Sequence, residues 1–138
     1  MRVKRLTETA KLPTKAHATD LGFDLYADVA GSVRALHGAV ISTGIAIEFP
    51  EGFGGIIKDR SSLASIGLSV MGGVIDSDYR GEIKVILYNC DEGTYYIGKG
   101  NKIAQLILVP VIHEEIEETT EPFLQTVRGD KGFGSSGQ

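Results

Sequence analysis

The chain holds little of what marks several large protein classes. It has one cysteine, Cys90, which excludes a disulfide framework and every multi-cysteine zinc pattern and fits a reducing compartment. No apolar run approaches membrane-spanning length. The N-terminus Met1-Arg2-Val3-Lys4-Arg5 is basic, but no apolar stretch follows it and Glu8 is acidic. Neither a secretory nor a transit signal is read there, and a cytoplasmic location is expected. Positive charge is not in excess either. A formal net charge of −4 argues against non-specific nucleic-acid binding, while leaving room for an anionic small molecule held by a few placed arginines, alone or with a metal ion. Helix-forming runs are scarce. In their place stand 18 glycines in 138 residues, the mark of many tight turns. The length is that of one domain able to bury a core without staples.

What is present reads as short strands and turns. Residues 1–10 form a strand of mixed polarity that Leu12-Pro13-Thr14 breaks. From Phe23 apolar and non-apolar positions alternate, so Asp24 points away from Phe23 and Leu25, into a polar cleft or plain solvent. His17 has no His or Cys partner nearby and reads as a surface residue. Residues 39–49 place Ile45, Ile47 and Phe49 on one face, and Pro50 ends that strand. Phe53-Gly54-Gly55-Ile56-Ile57 is a buried strand with room for a glycine bulge. Ser61 or Ser62 is suited to N-cap a short helix that Gly67 ends. Arg60 before that start makes an anion site.

The stretch Gly72-Gly73-Val74-Ile75-Asp76-Ser77-Asp78-Tyr79-Arg80-Gly81-Glu82 organises the chain. Two glycines permit φ > 0 or close backbone approach, Val74 and Ile75 favour extension, and Ser77-Asp78 is turn chemistry. A β-hairpin presenting backbone N–H and C=O groups beside the Asp76 carboxylate is expected. Taken alone, the stretch reads as an ordinary surface hairpin whose Asp caps a turn, and only the rest of the chain changes that. The run from Glu82 to Tyr88 is a strand with one covered face, and Tyr95-Tyr96-Ile97 is another. Ile103 to Pro110 is apolar on both faces except at Gln105; a buried amide there must be hydrogen-bonded, as a core bridge or as a site residue. Five glutamates within residues 114–121 lack metal-ligand spacing and read as a solvated loop.

The tail from Arg128 to Gln138 is different in kind. Gly132-Phe133-Gly134-Ser135-Ser136-Gly137 satisfies G-x-G-x-x-G formally, but one residue remains after it. No helix can follow, so the dinucleotide reading fails its context. Glycine and serine predict a mobile end. Arg128 and Phe133 within it are suited to clamp a phosphate and cover a base.

Collected, these parts resemble the five ordered motifs of the trimeric deoxyuridine triphosphate nucleotidohydrolases (dUTPases). Gly22-Phe23-Asp24-Leu25-Tyr26-Ala27 is similar to the first motif, and Asp59-Arg60-Ser61-Ser62-Leu63-Ala64 to the second. The stretch from Gly73 to Glu82 is similar to the third, Lys99-Gly100-Asn101-Lys102-Ile103-Ala104-Gln105 to the fourth, and residues 128–137 to the fifth. Small departures are Ser62 and Lys131 where glycine is usual, Asn101 where an acid is usual, and Val70 near where some members supply an asparagine to the base.

The resemblance implies an all-β fold, a distorted jelly-roll barrel or sandwich with one short helix. Residues 1–127 would form that domain, and residues 128–138 a flexible C-terminal arm that closes an active site. It implies dUTP as substrate, Mg2+ as cofactor, and a homotrimer whose active sites are shared between subunits. Asp76 would be the general base and Gln105 its partner in holding the attacking water. Arg60, Ser61, Ser62, Gly73, Val74, Ile75, Tyr79, Lys84, Arg128, Phe133, Gly134 and Ser135 would bind substrate, and Asp24 would reach the metal through water. Two alternatives stand beside it. Deoxycytidine triphosphate deaminases share the fold and an Arg-Ser-Ser-Leu-Ala segment, but need a glutamate where this chain has Ile86. A non-catalytic regulatory homologue would keep the fold without the chemistry.

Overall fold

The computed structural model describes residues 1–130; Phe133, Gly134 and Ser135, with the rest of the expected arm beyond Asp130, lie outside the described residues. Ten strands and one short helix follow in the order β1 (Arg2–Arg5), β2 (Phe23–Tyr26), β3 (Gly31–Val33), β4 (Gly38–Glu48), β5 (Phe53–Lys58), α1 (Ser61–Ala64), β6 (Leu68–Met71), β7 (Val74–Ile75), β8 (Glu82–Asn89), β9 (Tyr95–Ile97) and β10 (Lys102–Pro110). Two four-stranded sheets, β1-β4-β8-β6 and β2-β10-β5-β7, are accompanied by the small separate pair β3-β9. This is the expected all-β jelly roll with one short helix.

The alternation in β8 explains one half of the core. Ile83, Val85 and Leu87 are buried while Lys84 and Ile86 are exposed, the period-2 pattern of a sheet with one covered face. They meet Ile45 and Ile47 of β4, and Leu25, Ile57, Ile103, Ala104 and Leu106 of the other sheet, in a single apolar cluster. Each fully buried leucine or isoleucine contributes ~1.5–3 kcal/mol.

Several expectations change in detail. The first strand stops at Arg5, because Thr7 and Thr9 turn inward to donate to the buried Asp28 carboxylate at 2.8 and 2.7 Å. No bulge interrupts Phe53–Lys58, which runs in register with β10 from Phe53↔Pro110 to Lys58↔Gln105. Gly55 serves packing instead: a Cβ there would lie 2.7 Å from the Phe49 ring and 2.8 Å from Leu106. The N-cap of α1 is Arg60, so Ser61 and Ser62 open the helix rather than cap it. The C-cap is Ser65, and Gly67, at φ +84°, follows two residues later.

The central stretch departs most. Strands β6 and β8 are the paired arms of the hairpin, from Leu68↔Asn89 to Met71↔Ile86. Val74 and Ile75 leave that sheet and pair instead with Ile56 and Gly55 of β5. Gly72 and Gly73 make the crossing at φ +68° and +94°, and a Cβ on Gly73 would sit 2.7 Å from the Ile57 carbonyl oxygen. Both freedoms of glycine, left-handed backbone and close approach, are needed there.

Asp28 gives a testable consequence. The Thr9 hydroxyl, then that of Thr7, hold its carboxyl below the ordinary carboxylate value, against an opposing push from burial. A depressed native pKa contributes stability that is complete above the ordinary value and is lost as pH falls through the lowered one. Asp28→Asn removes that contribution. The variant is expected to melt several degrees below the wild type at neutral pH, with the gap in Tm closing as pH falls below the carboxylate range.

Candidate active site

Two grooves carry the residues that the sequence singled out. The first, a cavity of about 340 Å³, is lined by Asp24, Arg60, Ser61, Ser62, Lys102 and Gln105, with Asp20 and Gly22 at its edge. Antiparallel pairing sets Asp24 of β2 directly opposite Gln105 of β10, so both side chains leave the same face. Between Lys102 and Ala104 the register shifts. One extra residue reverses side-chain parity, which brings Lys102 into the groove beside Gln105 although an odd spacing separates them. Sequence reasoning missed Lys102 for that reason.

Within this groove Asp24 is held by two cations. Arg60 Nε lies 3.1 Å from Oδ1 and Lys102 Nζ 2.6 Å from Oδ2. The hydrogen bond to Asp24 raises the Lys102 ammonium above its ordinary value, so it is fully charged at neutral pH. The helix has only four residues, too few for a sizeable dipole; the positive field comes from Arg60 and Lys102. Gln105 Nε2 donates to the Asp59 carbonyl at 2.7 Å, which satisfies the half-buried amide. Gly22 is bare where any side chain would meet the amide oxygen. The Asp59 carboxylate accepts from the Val70 N–H and, at 3.4 Å, from Ser69 Oγ. Asp59, also missed, therefore ties the Arg-Ser-Ser segment to β6 at the base of the hairpin.

The second groove, about 310 Å³, is lined by Val74, Ile75, Asp76, Tyr79, Glu82 and Lys84. Strand β7 is the edge of its sheet. The Gly73 carbonyl accepts from Ile57 N–H at 2.7 Å, and Val74 is the next residue in register, opposite Ile56. Bonding positions alternate along an antiparallel pair, so the Val74 N–H and C=O turn outward from the sheet. Asp76 is exposed beside them. Tyr79 Oη donates to the Glu82 carbonyl at 3.0 Å, and its ring lies where a side chain on Gly81 would otherwise stand. Arg80 Nη1 fastens the turn through the Ser77 and Tyr79 carbonyls at 2.9 and 3.0 Å. Lys84 is paired with Glu82 at 3.5 Å.

No residue lines both of these grooves. Asp76 and Gln105, expected to share a water, are not brought together within one chain. Arg128 is exposed within the turn in which the Gly129 N–H reaches the Thr126 carbonyl at 3.2 Å. Ile86 is exposed on the outer face of β8, where a deaminase would need its glutamate. His17 is exposed, as expected of a surface histidine. Among the described residues no cluster of three His, Cys, Asp or Glu could cage a metal, and no helix is long and apolar enough to cross a membrane.

A double-sheet jelly roll with a groove lined by Arg60, Ser61, Ser62 and Lys102 and a carboxylate, Asp76, just past an edge strand is a scaffold suited to a nucleotide-processing β enzyme. The structure of Staphylococcus bacteriophage 80alpha dUTPase with dUpNHpp superposes with a TM-score of 0.93 at 32% identity, over 99% of this chain and 98% of that one. A deoxyuridine 5'-triphosphate nucleotidohydrolase from Hydrogenobaculum sp. (strain Y04AAS1) is 46% identical, over 98% of this chain and 96% of its own. The dUTPase family model matches residues 8–137, and this chain belongs to the dUTPase family. A mutant dUTPase from phage phi11 of S. aureus aligns with a TM-score of 0.81 at 28% identity, over 87% of this chain and 96% of that one; that structure concerns the coordination of a structural Mg(II) ion.

Proposed function

We propose that the protein hydrolyses dUTP to dUMP and pyrophosphate in active sites shared between the subunits of a homotrimer. The observation that supports this reading is that the expected site residues line two separate grooves of one chain, Arg60, Ser61, Ser62 and Gln105 in one and Val74, Ile75, Asp76 and Tyr79 in the other. A second copy supplies the missing half of each. Ile112, Ile116, Phe123, Leu124 and Val127 are each 77% exposed or more in the segment after β10. Such apolar exposure asks for a covering partner.

Uracil presents an N3–H donor between two carbonyl acceptors. The outward Val74 N–H and C=O, flanked by Gly73 and Ile75, answer with an adjacent donor and acceptor. Cytosine presents that edge partly reversed and leaves groups unpaired, a discrimination that hydrogen-bonding sites make strongly. Tyr79 stacks against the deoxyribose where a 2′-hydroxyl would collide. Arg60, Ser61 and Ser62 receive the phosphates, with Lys84 at the far end of the base-reading groove. Asp76 takes a proton from a water that Gln105 of the other groove also holds, and that water attacks the α-phosphorus. Arg60 and Arg128 offset the charge on the departing pyrophosphate. Phe133, with Gly134 and Ser135, covers the base and phosphates when residues 128–138 close.

The donor set fits a cation carried by the phosphates rather than by the protein: two carboxylates, Asp20 and Asp24, line the anion groove, Asp20 already accepts from the His17 N–H at 2.8 Å, and among the described residues no group of three His, Cys, Asp or Glu could cage a metal. Asp24 would hold Mg2+ through water, and the chemistry that the ion would supply there is neutralisation and restraint of the triphosphate. The enzyme acts in the cytoplasm in this reading.

The test is pyrophosphate release from each deoxynucleoside triphosphate and from UTP, with and without Mg2+. Selective release from dUTP is expected, and equal rates on dCTP would overturn the reading. Tyr79→Ala is expected to raise kcat/KM for UTP relative to dUTP. An unchanged ratio would remove Tyr79 as the sugar gate.

A further inference from the structure

We propose that Lys102 is a phosphate-binding residue of the anion groove, and that Asp24 is a stand-in anion that holds Lys102 and Arg60 in place until a triphosphate takes both cations over. This rests on the reading of the groove as a dUTP site. Each oxygen of the Asp24 carboxylate takes one cation, Oδ1 the Arg60 guanidinium at 3.1 Å and Oδ2 the Lys102 ammonium at 2.6 Å. Two oxygens bridged by two cations is also the pattern that a phosphate offers. The three side chains are half-buried at 16%, 29% and 37% exposure for Asp24, Arg60 and Lys102, so the charges face the groove without being sealed from it.

A purely structural tie between β2 and β10 is the competing account. Those strands are already paired at Lys102↔Tyr26, Ala104↔Leu25, Gln105↔Asp24 and Leu106↔Phe23, and a part-exposed ion pair adds little to such a ladder. The local register shift also has a structural cost, since it interrupts the ladder next to Lys102. Its visible result is to turn the lysine into the groove with Ser61, Ser62 and Gln105. Asp24 alone against Arg60 and Lys102 leaves this ion-paired triad a net positive charge, although Asp20, tied to the His17 N–H, also lines the groove. A compact ammonium on a four-carbon stem swings from Asp24 to a phosphate oxygen without moving backbone. Asp24 is thereby released to face the water shell of a cation that the triphosphate brings.

The idea makes a prediction of unusual sign. Asp24 competes with phosphate for the two cations, so removing its charge strengthens metal-free phosphate binding. Calorimetry in EDTA, with inorganic tripolyphosphate and with the imido analogue dUpNHpp as separate probes, compares the full-length wild type with Asp24→Asn, Lys102→Met, Lys102→Arg and the Asp24→Asn/Lys102→Met double variant. Deoxyuridine binding, followed by NMR, serves as control. Lys102→Met is expected to weaken both triphosphate probes ~10-fold or more, the scale of one charge-assisted hydrogen bond, and to leave deoxyuridine unaffected. Lys102→Arg retains most of the affinity. Asp24→Asn tightens tripolyphosphate binding, and the double variant loses most of that gain. The proposal is overturned by Lys102→Met binding tripolyphosphate as the wild type does, by an equal loss of deoxyuridine, by weaker metal-free binding in Asp24→Asn, or by a wild type that binds neither triphosphate in EDTA. A wild type that binds tripolyphosphate but neither deoxyuridine nor dUpNHpp refutes the dUTP reading instead, and leaves the Lys102 comparison intact.

Discussion

Asp76→Asn is expected to lower turnover of dUTP by ~10²–10⁴-fold, the usual effect of losing a general base, while dUTP binding stays within a few-fold of the wild type. The amide keeps the size and reach of the carboxylate but accepts no proton. Its setting makes the substitution mild for folding: Asp76 is exposed, just past the two-residue strand β7, and its carbonyl, which accepts from Tyr79 N–H at 3.2 Å, is unchanged. Single-turnover hydrolysis and equilibrium binding of dUpNHpp separate the two effects. A variant that binds and still turns over at a near-normal rate would remove Asp76 from the chemistry.

The same variant tests the division of the site. Gln105→Ala damages the other groove. Asp76→Asn and Gln105→Ala, each nearly inactive alone, are expected to recover part of the wild-type activity when unfolded and refolded together. Mixed assemblies then contain sites in which an intact hairpin from one chain faces an intact anion groove from another. If both residues served a site within one chain, mixing would restore nothing.

Local patterns in the sequence carried much of this fold. Ile83, Val85 and Leu87 announce a half-covered strand because side-chain alternation is a property of one strand alone. The glycine pair at 72 and 73 announces a backbone anomaly because no other residue tolerates both positive φ and a carbonyl at 2.7 Å. Which strand Val74 and Ile75 pair with was not legible, since β5 precedes them by some 20 residues and the choice is made by the two sheets closing on each other. Register shifts are illegible for the same reason. Those between Ser42 and Ala46 and between Lys102 and Ala104 exist only relative to a partner strand, and the second hid Lys102. The helix cap differs from expectation because serine is the better N-cap by propensity, whereas the chain here enters the helix through an extended Arg60. The residues of the two grooves were legible as motifs, and the resemblance already implied sites shared between subunits. The residues taken by themselves did not reveal the separation, because a single sequence carries no distance between them.

Removing residues 128–138 is expected to leave folding and assembly intact and to lower kcat by ~10³–10⁵-fold, the range seen when a phosphoryl-transfer enzyme loses an arginine finger. Folding survives because, among the described residues, the last strand ends at Pro110 and Arg128 to Asp130 are exposed, outside every strand and the core cluster. In the proposed mechanism catalysis does not, because the deletion would take away both Arg128, assigned there to the charge of the departing pyrophosphate, and Phe133, assigned there to cover the base. In the proposed mechanism contacts with the bound nucleotide would drive closure and offset the entropic cost that four glycines and two serines in this segment carry. Excluding water then strengthens every charge interaction within the closed site. Arg128→Ala separates the two contributions. It removes the charge and keeps the cover, so it should lower kcat strongly with little change in KM, while Phe133→Ala should weaken nucleotide binding more than it slows the step. Circular dichroism and size-exclusion profiles matching the wild type, together with the loss in kcat, would support the arm as a catalytic element. A truncated enzyme with full activity would show that the two grooves complete the reaction by themselves.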